Sequence, residues 1–177
     1  ESITFVNDYI SKQLDTDPKT FVIASDTDSL YMELTDLLKH RNPDLKYEDR
    51  EEKIKHLLIL TEELQQVAND NLNNISQDLF NMTEAHHFVL KQEVIAEKAY
   101  WSGKRRYAMY IVNKEGISIE ELEMKGMDIM KSNFPPLFRN FGENLIKNIL
   151  FGKPKEEIDK DVMEFKKMVG EIEWINL

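Results

Sequence analysis

An α+β fold, with an antiparallel sheet, one long packing helix and a helical final stretch, is what the sequence predicts. Three observations carry that prediction. Short apolar runs bounded by turn residues, Phe21-Val22-Ile23-Ala24 and Leu30-Tyr31-Met32-Glu33-Leu34 first among them, have strand character. A stretch from about Asp49 to Phe80 keeps one face apolar at helical spacing. After residue 133 the composition changes, and apolar positions recur four residues apart.

The elements follow in order. Ile3, Val6, Ile10 and Leu14 place an amphipathic helix over residues 1–14, which Asp15-Thr16-Asp17-Pro18 breaks. Phe21 to Ala24 reads as a buried strand and Leu30 to Leu34 as a half-buried one. Between them Ser25-Asp26-Thr27-Asp28-Ser29 is rich in turn formers, so the two runs make a β-hairpin with two aspartates at its tip. Lys39 to Asp49 is polar and reads as a connection. In the long helix Ile54, Leu57, Leu58, Leu64, Val67, Leu72, Ile75 and Leu79 form the apolar face, and Glu and Lys cover the solvated one. His87 to Ala96 and Lys104 to Val112 read as strands joined through Ser102-Gly103. Asn113-Lys114-Glu115-Gly116 is a turn, and Ile117 to Met124 is a further strand. Ser132 or Asn133 caps the next helix, with Pro135 in its first turn and Gly152 at its end. Pro154 starts another, closed by Gly170.

The 177 residues suit one domain or one lobe of a larger protein, and 41% hydrophobic content with 10% aromatics argues against disorder. There are no cysteines, which excludes disulfide scaffolds, thiolate zinc sites, cysteine nucleophiles and iron–sulfur clusters, and fits a reducing compartment. No apolar run is long enough to cross a bilayer. The formal charge of −10, from 33 acidic and 23 basic residues, argues against indiscriminate nucleic-acid binding but leaves room for a local basic strip. The start at Glu1 and the apolar close Glu173-Trp174-Ile175-Asn176-Leu177 predict a piece of a longer polypeptide.

Two places concentrate chemistry. Asp26 and Asp28, two apart at a tight turn, can bring two carboxylates to one site, where a divalent cation relieves their repulsion. Alone, the same residues fit an Asx-rich turn equally well. Lys104-Arg105-Arg106-Tyr107, read as a strand, sends Lys104 and Arg106 to one face and Arg105 and Tyr107 to the other. Such residues contact phosphates without reading sequence. His86-His87 are adjacent and face opposite ways in a strand, so they do not chelate one ion. Tyr100 and Trp101 read as packing residues, and the eight methionines as core filling.

Phe21 to Tyr31, FVIASDTDSLY, resembles motif C of family B DNA polymerases, commonly YGDTDS, with Ser25 where that family has Gly. Trp101 to Ala108, WSGKRRYA, resembles the family's KKRY element, and most of all the WTGKKRYA form of replicative polymerases from T-even-type phages. Leu122 to Ser132, LEMKGMDIMKS, resembles the Lys-Gly segment ahead of the thumb. The matches run in the family's order across nearly the whole chain. The resemblance implies a palm subdomain over residues 1–133 and the helical beginning of a thumb over 134–177. It also implies template-directed addition of deoxynucleotides to a primer 3′ end, with two Mg²⁺ ions and Mn²⁺ as their substitute. Asp28 is implied as ligand of both ions, Asp26 as a secondary one and Glu93 as a weak outer carboxylate; Lys104, Arg105, Arg106, Tyr107, Lys131 and, more weakly, Lys125 are implied as DNA contacts. The implied partners are primer–template DNA, deoxynucleoside triphosphates and the rest of the polymerase, in the cytoplasm of an infected bacterium if the chain is phage-encoded.

Motif A, with the pattern D-x-x-S-L-Y, and motif B, a Lys-rich helix ending N-S-x-Y-G, do not occur, and there is no room for an exonuclease or a complete thumb. The isolated chain is therefore expected to be inactive. Competing readings are weaker. Dehalogenase-type phosphatases need a further acidic motif that is absent, and D-x-D glycosyltransferases need a longer nucleotide-binding half than the 25 residues before Asp26. A non-catalytic module using the acidic Asp49–Phe80 helix leaves the three ordered matches unexplained.

Overall fold

Helix α1 (Ser2–Gln13) forms where the apolar spacing places it, and it buries Val6 and Ile10. In the computed structural model, which describes residues 2–17, 19–26, 29–82 and 89–171, the chain divides into two compact units, Glu1–Ile95 and Ala96–Leu177. No described helix is long and apolar enough to cross a membrane.

The first unit holds α1, the hairpin β1 (Val22–Ser25) and β2 (Leu30–Met32), α2 (Thr35–Arg41) and α3 (Arg50–Phe80). Its core gathers Val6, Ile10, Phe21, Val22, Leu34, Leu37, Leu38, Leu45, Leu60, Leu64 and Ala68. Each large apolar side chain removed from water there contributes about 1.5–3 kcal/mol. Side chains of α1 close the backbone accounts of the hairpin. Asn7 Oδ1 accepts from the Phe21 N–H at 2.8 Å and the Val22 N–H at 2.9 Å, and the buried Ser11 hydroxyl oxygen accepts from the Lys19 N–H at 3.0 Å. A carboxylate on α3 then ties three helices together. Glu63 receives a two-pronged hydrogen bond from Arg41 of α2 and a hydrogen bond from the Tyr9 hydroxyl of α1 at 2.9 Å. Arg41 also donates to Gln13 at 3.0 Å.

Helix α3 begins as its sequence dictates: Asp49 caps it by accepting from the Glu52 N–H at 3.1 Å. Its side chains also do the work of a neighbouring strand. Asn69 both donates to the Leu90 carbonyl, at 3.0 Å, and accepts from the Leu90 N–H, at 2.8 Å; Gln65 accepts from the Gln92 N–H at 2.7 Å. These bonds pin the segment leading into β3 along the helix.

The second unit is a meander of β3 (Val94–Gly103), β4 (Arg106–Lys114) and β5 (Ile117–Lys125), in the order β3-β4-β5, followed by α4 (Pro136–Leu150) and α5 (Lys155–Gly170). The division between units falls inside β3. Tyr107 to Asn113 are buried without interruption, so the central strand lacks the in–out alternation of an exposed sheet. Helix α4 packs on β4, with Phe151 edge-on to Tyr110 at 4.8 Å. Phe141 stacks on Phe165 at 3.8 Å and joins α4 to α5.

Several expectations need correction. The polar connection from Lys39 hides the end of α2, whose buried Leu37 and Leu38 are too few to show a helical repeat. Ile23, read as buried, is 48% exposed, because a bulge inserts it between the paired Val22 and Ala24. Leu79, assigned to the apolar face of α3, is 57% exposed, and the buried Leu60 replaces it in the stripe. The strand expected over His87 to Ala96 begins only at Val94; residues 83–88 lie outside the described residues, and side chains of α3 satisfy Leu90 and Gln92. Neither Ser132 nor Asn133 caps α4. The Pro135-Pro136 pair keeps Pro135 extended at ψ 142°, so the helix starts at Pro136 with its proline at the first position.

Candidate nucleic-acid interface

The hairpin of the first unit is closed where the sequence places its aspartates. Ser25 pairs with Leu30, and the Asp26 N–H donates to the Ser29 carbonyl at 3.0 Å. Asp26 is half-buried at the end of β1. Asp28, the residue expected to matter most, lies outside the described residues. Among the described residues no three His, Asp or Glu side chains converge on one point. Glu93 is exposed and stands immediately before β3 instead of on a strand.

The basic residues gather at one end of the meander. Lys104 and Arg105 are not on a strand: β3 continues through Gly103, and these two residues form the turn into β4, with Arg105 in the left-handed region at φ 60°. The expected sorting of Lys104 and Arg105 onto opposite strand faces therefore does not apply; both are exposed at the turn, and Arg106 is the exposed first residue of β4. Ser102 Oγ donates to the Arg106 carbonyl at 3.4 Å across the same turn.

Tyr107, expected beside the cations, is buried at 6% exposure. Its ring lies 6.0 Å from that of Trp101 on β3, and the Lys125 ammonium, directly across on β5, sits 5.9 Å from the ring centre. Its hydroxyl donates diagonally to Glu123 at 3.2 Å. Tyr110 repeats the device on the other face, donating to Glu120 at 3.1 Å. Tyr107 thus stands as the packed base of the turn, and the exposed cations rise beside it.

The segment after β5 adds to the cluster. Gly126, at φ 68°, packs its α-carbon against the Arg105 carbonyl. Asp128 accepts from Lys131 at 2.7 Å, and hydrogen bonding and charge from Lys131, with Arg106 beyond, hold its carboxyl below the usual carboxylate range. Arg139 of α4 donates to the carbonyls of Lys131 and Phe134, at 3.3 Å each, and braces this stretch ahead of the helix. Two motifs some twenty residues apart in sequence, KRRY and the Lys-Gly segment, therefore make one exposed basic surface.

The family profile described as Divergent Family B DNA polymerase matches residues 11–175. The chain belongs to that family. A curated relative, the DNA-directed DNA polymerase of Escherichia phage RB69, is 25% identical over 155 residues, which is 82% of this chain and 17% of the relative. The chain thus spans about a sixth of that polymerase's length.

In this family B polymerase segment, sequence reasoning found the cations but missed Asp128 and Arg139. Asp128 carries a readable signal, the Asp-x-x-Lys spacing that places it beside Lys131. For Arg139 there is none, since it acts through backbone carbonyls of a non-helical stretch.

Proposed function

We propose that this chain is the later half of the palm, to about residue 133, and the start of the thumb, from 134, of a DNA-directed DNA polymerase. The enzyme it belongs to extends a primer 3′ end on a DNA template in the cytoplasm of a phage-infected bacterium. The primer 3′ oxygen attacks the α-phosphate of the incoming nucleotide; the new P–O bond forms as the bond to pyrophosphate breaks. Divalent ions, Mg²⁺ or Mn²⁺, supply activation of the attacking oxygen and stabilisation of the leaving one. Asp28 and Asp26 are the residues that would hold them, a hard-oxygen pair suited to Mg²⁺, with Glu93 as an outer carboxylate. Lys104, Arg105, Arg106, Lys131 and, more weakly, Lys125 hold duplex phosphates, with Tyr107 packed beneath them.

The observation that carries this reading is the convergence of KRRY and the Lys-Gly segment on one exposed turn, in a chain of this family. A net charge of −10 makes such a local concentration of cations unexpected for a merely solvated surface.

Primer extension tests it. The isolated chain should not extend a primer, because motif A and the nucleotide-binding fingers lie elsewhere in the polymerase. Adding the upstream half should restore synthesis. Asp28→Asn should then lower extension by about 10³-fold, equivalent to ~4 kcal/mol of transition-state stabilisation. Asp26→Asn should cost less. Synthesis by the isolated chain, or full activity with Asp28→Asn, contradicts the reading.

A further inference from the structure

The Lys104–Arg105 turn is strained and yet held in one place. A non-glycine residue in the left-handed region costs about 1–2 kcal/mol and persists only where neighbours fix it. Arg105 is such a residue, at φ 60°. What fixes it comes from β5. Tyr107 pairs with Lys125, the last residue of β5, so Gly126, which follows it, comes opposite the start of β4. There a Cβ would fall inside contact distance of the Arg105 carbonyl oxygen, and 3.2 Å from both the Arg105 carbonyl carbon and Arg106 Cγ. Gly126 is itself left-handed, at φ 68°. Only glycine meets both demands, the backbone conformation and the close approach.

We propose that Gly126 is a positioning residue for the duplex grip: its bare α-carbon seats the Arg105 carbonyl and so sets where Lys104, Arg105 and Arg106 present their charges. The proposal rests on the DNA-contact reading above. It makes the KRRY turn and the Lys-Gly segment one mechanical unit, in which the glycine acts through the turn and touches no DNA. A side chain at 126 must push the turn away from β5. The cations then lose registry with successive phosphates, although none has been removed.

A matched glycine supplies the control. Gly152, at φ 73°, has the same left-handed strain, but nothing lies within 4 Å of a Cβ built on it. Gly126→Ala and Gly152→Ala should therefore both melt lower from backbone strain, Gly126→Ala further because its Cβ also meets the Arg105 carbonyl. Only Gly126→Ala should shift the amide resonances of Lys104, Arg105 and Arg106 and weaken binding of a fluorescent primer–template duplex. Losing one phosphate contact lowers the salt slope by about 0.9, which is roughly an eightfold loss of affinity at ~0.1 M salt. Gly126→Asn adds a Cβ on a residue that tolerates the left-handed region, and should show the same shifts with less loss of stability.

Unchanged amides and unchanged duplex binding in Gly126→Ala would overturn the proposal, as would an equal loss in Gly152→Ala. Failure of both Gly126 variants to fold while Gly152→Ala folds would make the residue a folding element and overturn its positioning role. The combined substitution Lys104→Ala, Arg105→Ala, Arg106→Ala separates the two layers. Should it bind duplex as tightly as the unaltered chain, or should the unaltered chain not bind duplex, the DNA-contact reading falls and the proposal with it. If the combined substitution weakens binding and Gly126→Ala does not, the proposal alone is lost.

Discussion

At the scale of single residues, backbone conformation separates what the sequence tells from what it hides. Glu115 and Gly116 form the two-residue turn between β4 and β5, at φ 50° and 84°, and the Asn113 side chain accepts from the Gly116 N–H at 3.0 Å. Positive φ at both turn positions suits a hairpin and favours Asn-Gly. Glycine is already present, and glutamate is the ill-fitting member. Glu115→Asn should raise stability by about 0.5–1 kcal/mol, read as a shift of the denaturation midpoint at unchanged slope. A lowered midpoint would mean that Glu115 makes a compensating contact. The Asn113–Gly116 turn was legible because Gly and Asn announce turns. The Lys104–Arg105 turn was not: nothing about two adjacent cations signals a left-handed residue, and Gly103 beside them drew the expected turn one step too early.

Among elements, legibility followed length. The long helix α3 showed its repeat and its bounds plainly, and α5 its bounds. Short α2 showed nothing, and β3 was misplaced because Asn69 and Gln65 supply hydrogen bonds that a strand would otherwise supply. The candidate site divided the same way. Its cations could be read from the sequence, whereas their joining to Gly126 depends on the register of β4 with β5. Asn7 is the clearest test of element-level coupling. Its side chain alone satisfies two N–H groups at the buried start of β1. Asn7→Ala should destabilise the chain by about 2–4 kcal/mol, since each orphaned buried donor costs ~1–3 kcal/mol. Asn7→Asp keeps the acceptor and should recover most of the loss. Chemical denaturation of the three proteins checks this, and equal stability of Asn7→Ala and the unaltered chain would show that water replaces the side chain.

For the molecule as a whole, acid stability follows from charge placement. Hydrogen bonding from Arg41, with the Tyr9 hydroxyl, holds the Glu63 carboxyl below its ordinary range. A carboxyl depressed on folding stabilises the folded chain above its unfolded pKa, and that gain is lost as pH falls through the lower folded value. Both partners are partly exposed, at 30% and 39%, so screening limits the gain to about 0.5–1 kcal/mol despite the two-pronged geometry. Glu63→Gln should thus melt below the unaltered chain at pH 7, and the gap should close as pH drops below ~4. The self-repulsion of a chain at −10 eases equally in both proteins on acidification, so the difference isolates the Arg41 pair. A gap independent of pH would place the effect in packing.

The paired tyrosines of β4 have a consequence for how this sheet keeps to itself. In the order β3-β4-β5, β5 is an outer strand among the described residues, and an outer strand offers its backbone to any other chain that arrives in extended form. The glutamates that receive Tyr107 and Tyr110, Glu123 and Glu120, stand on that strand with Glu121 and Lys125. A second copy aligning edge to edge would bring those carboxylates against their own kind. The hydrogen bonds that anchor the central strand thereby station charge along the border, and the same residues that bind the sheet inwardly deter it from growing into a fibril.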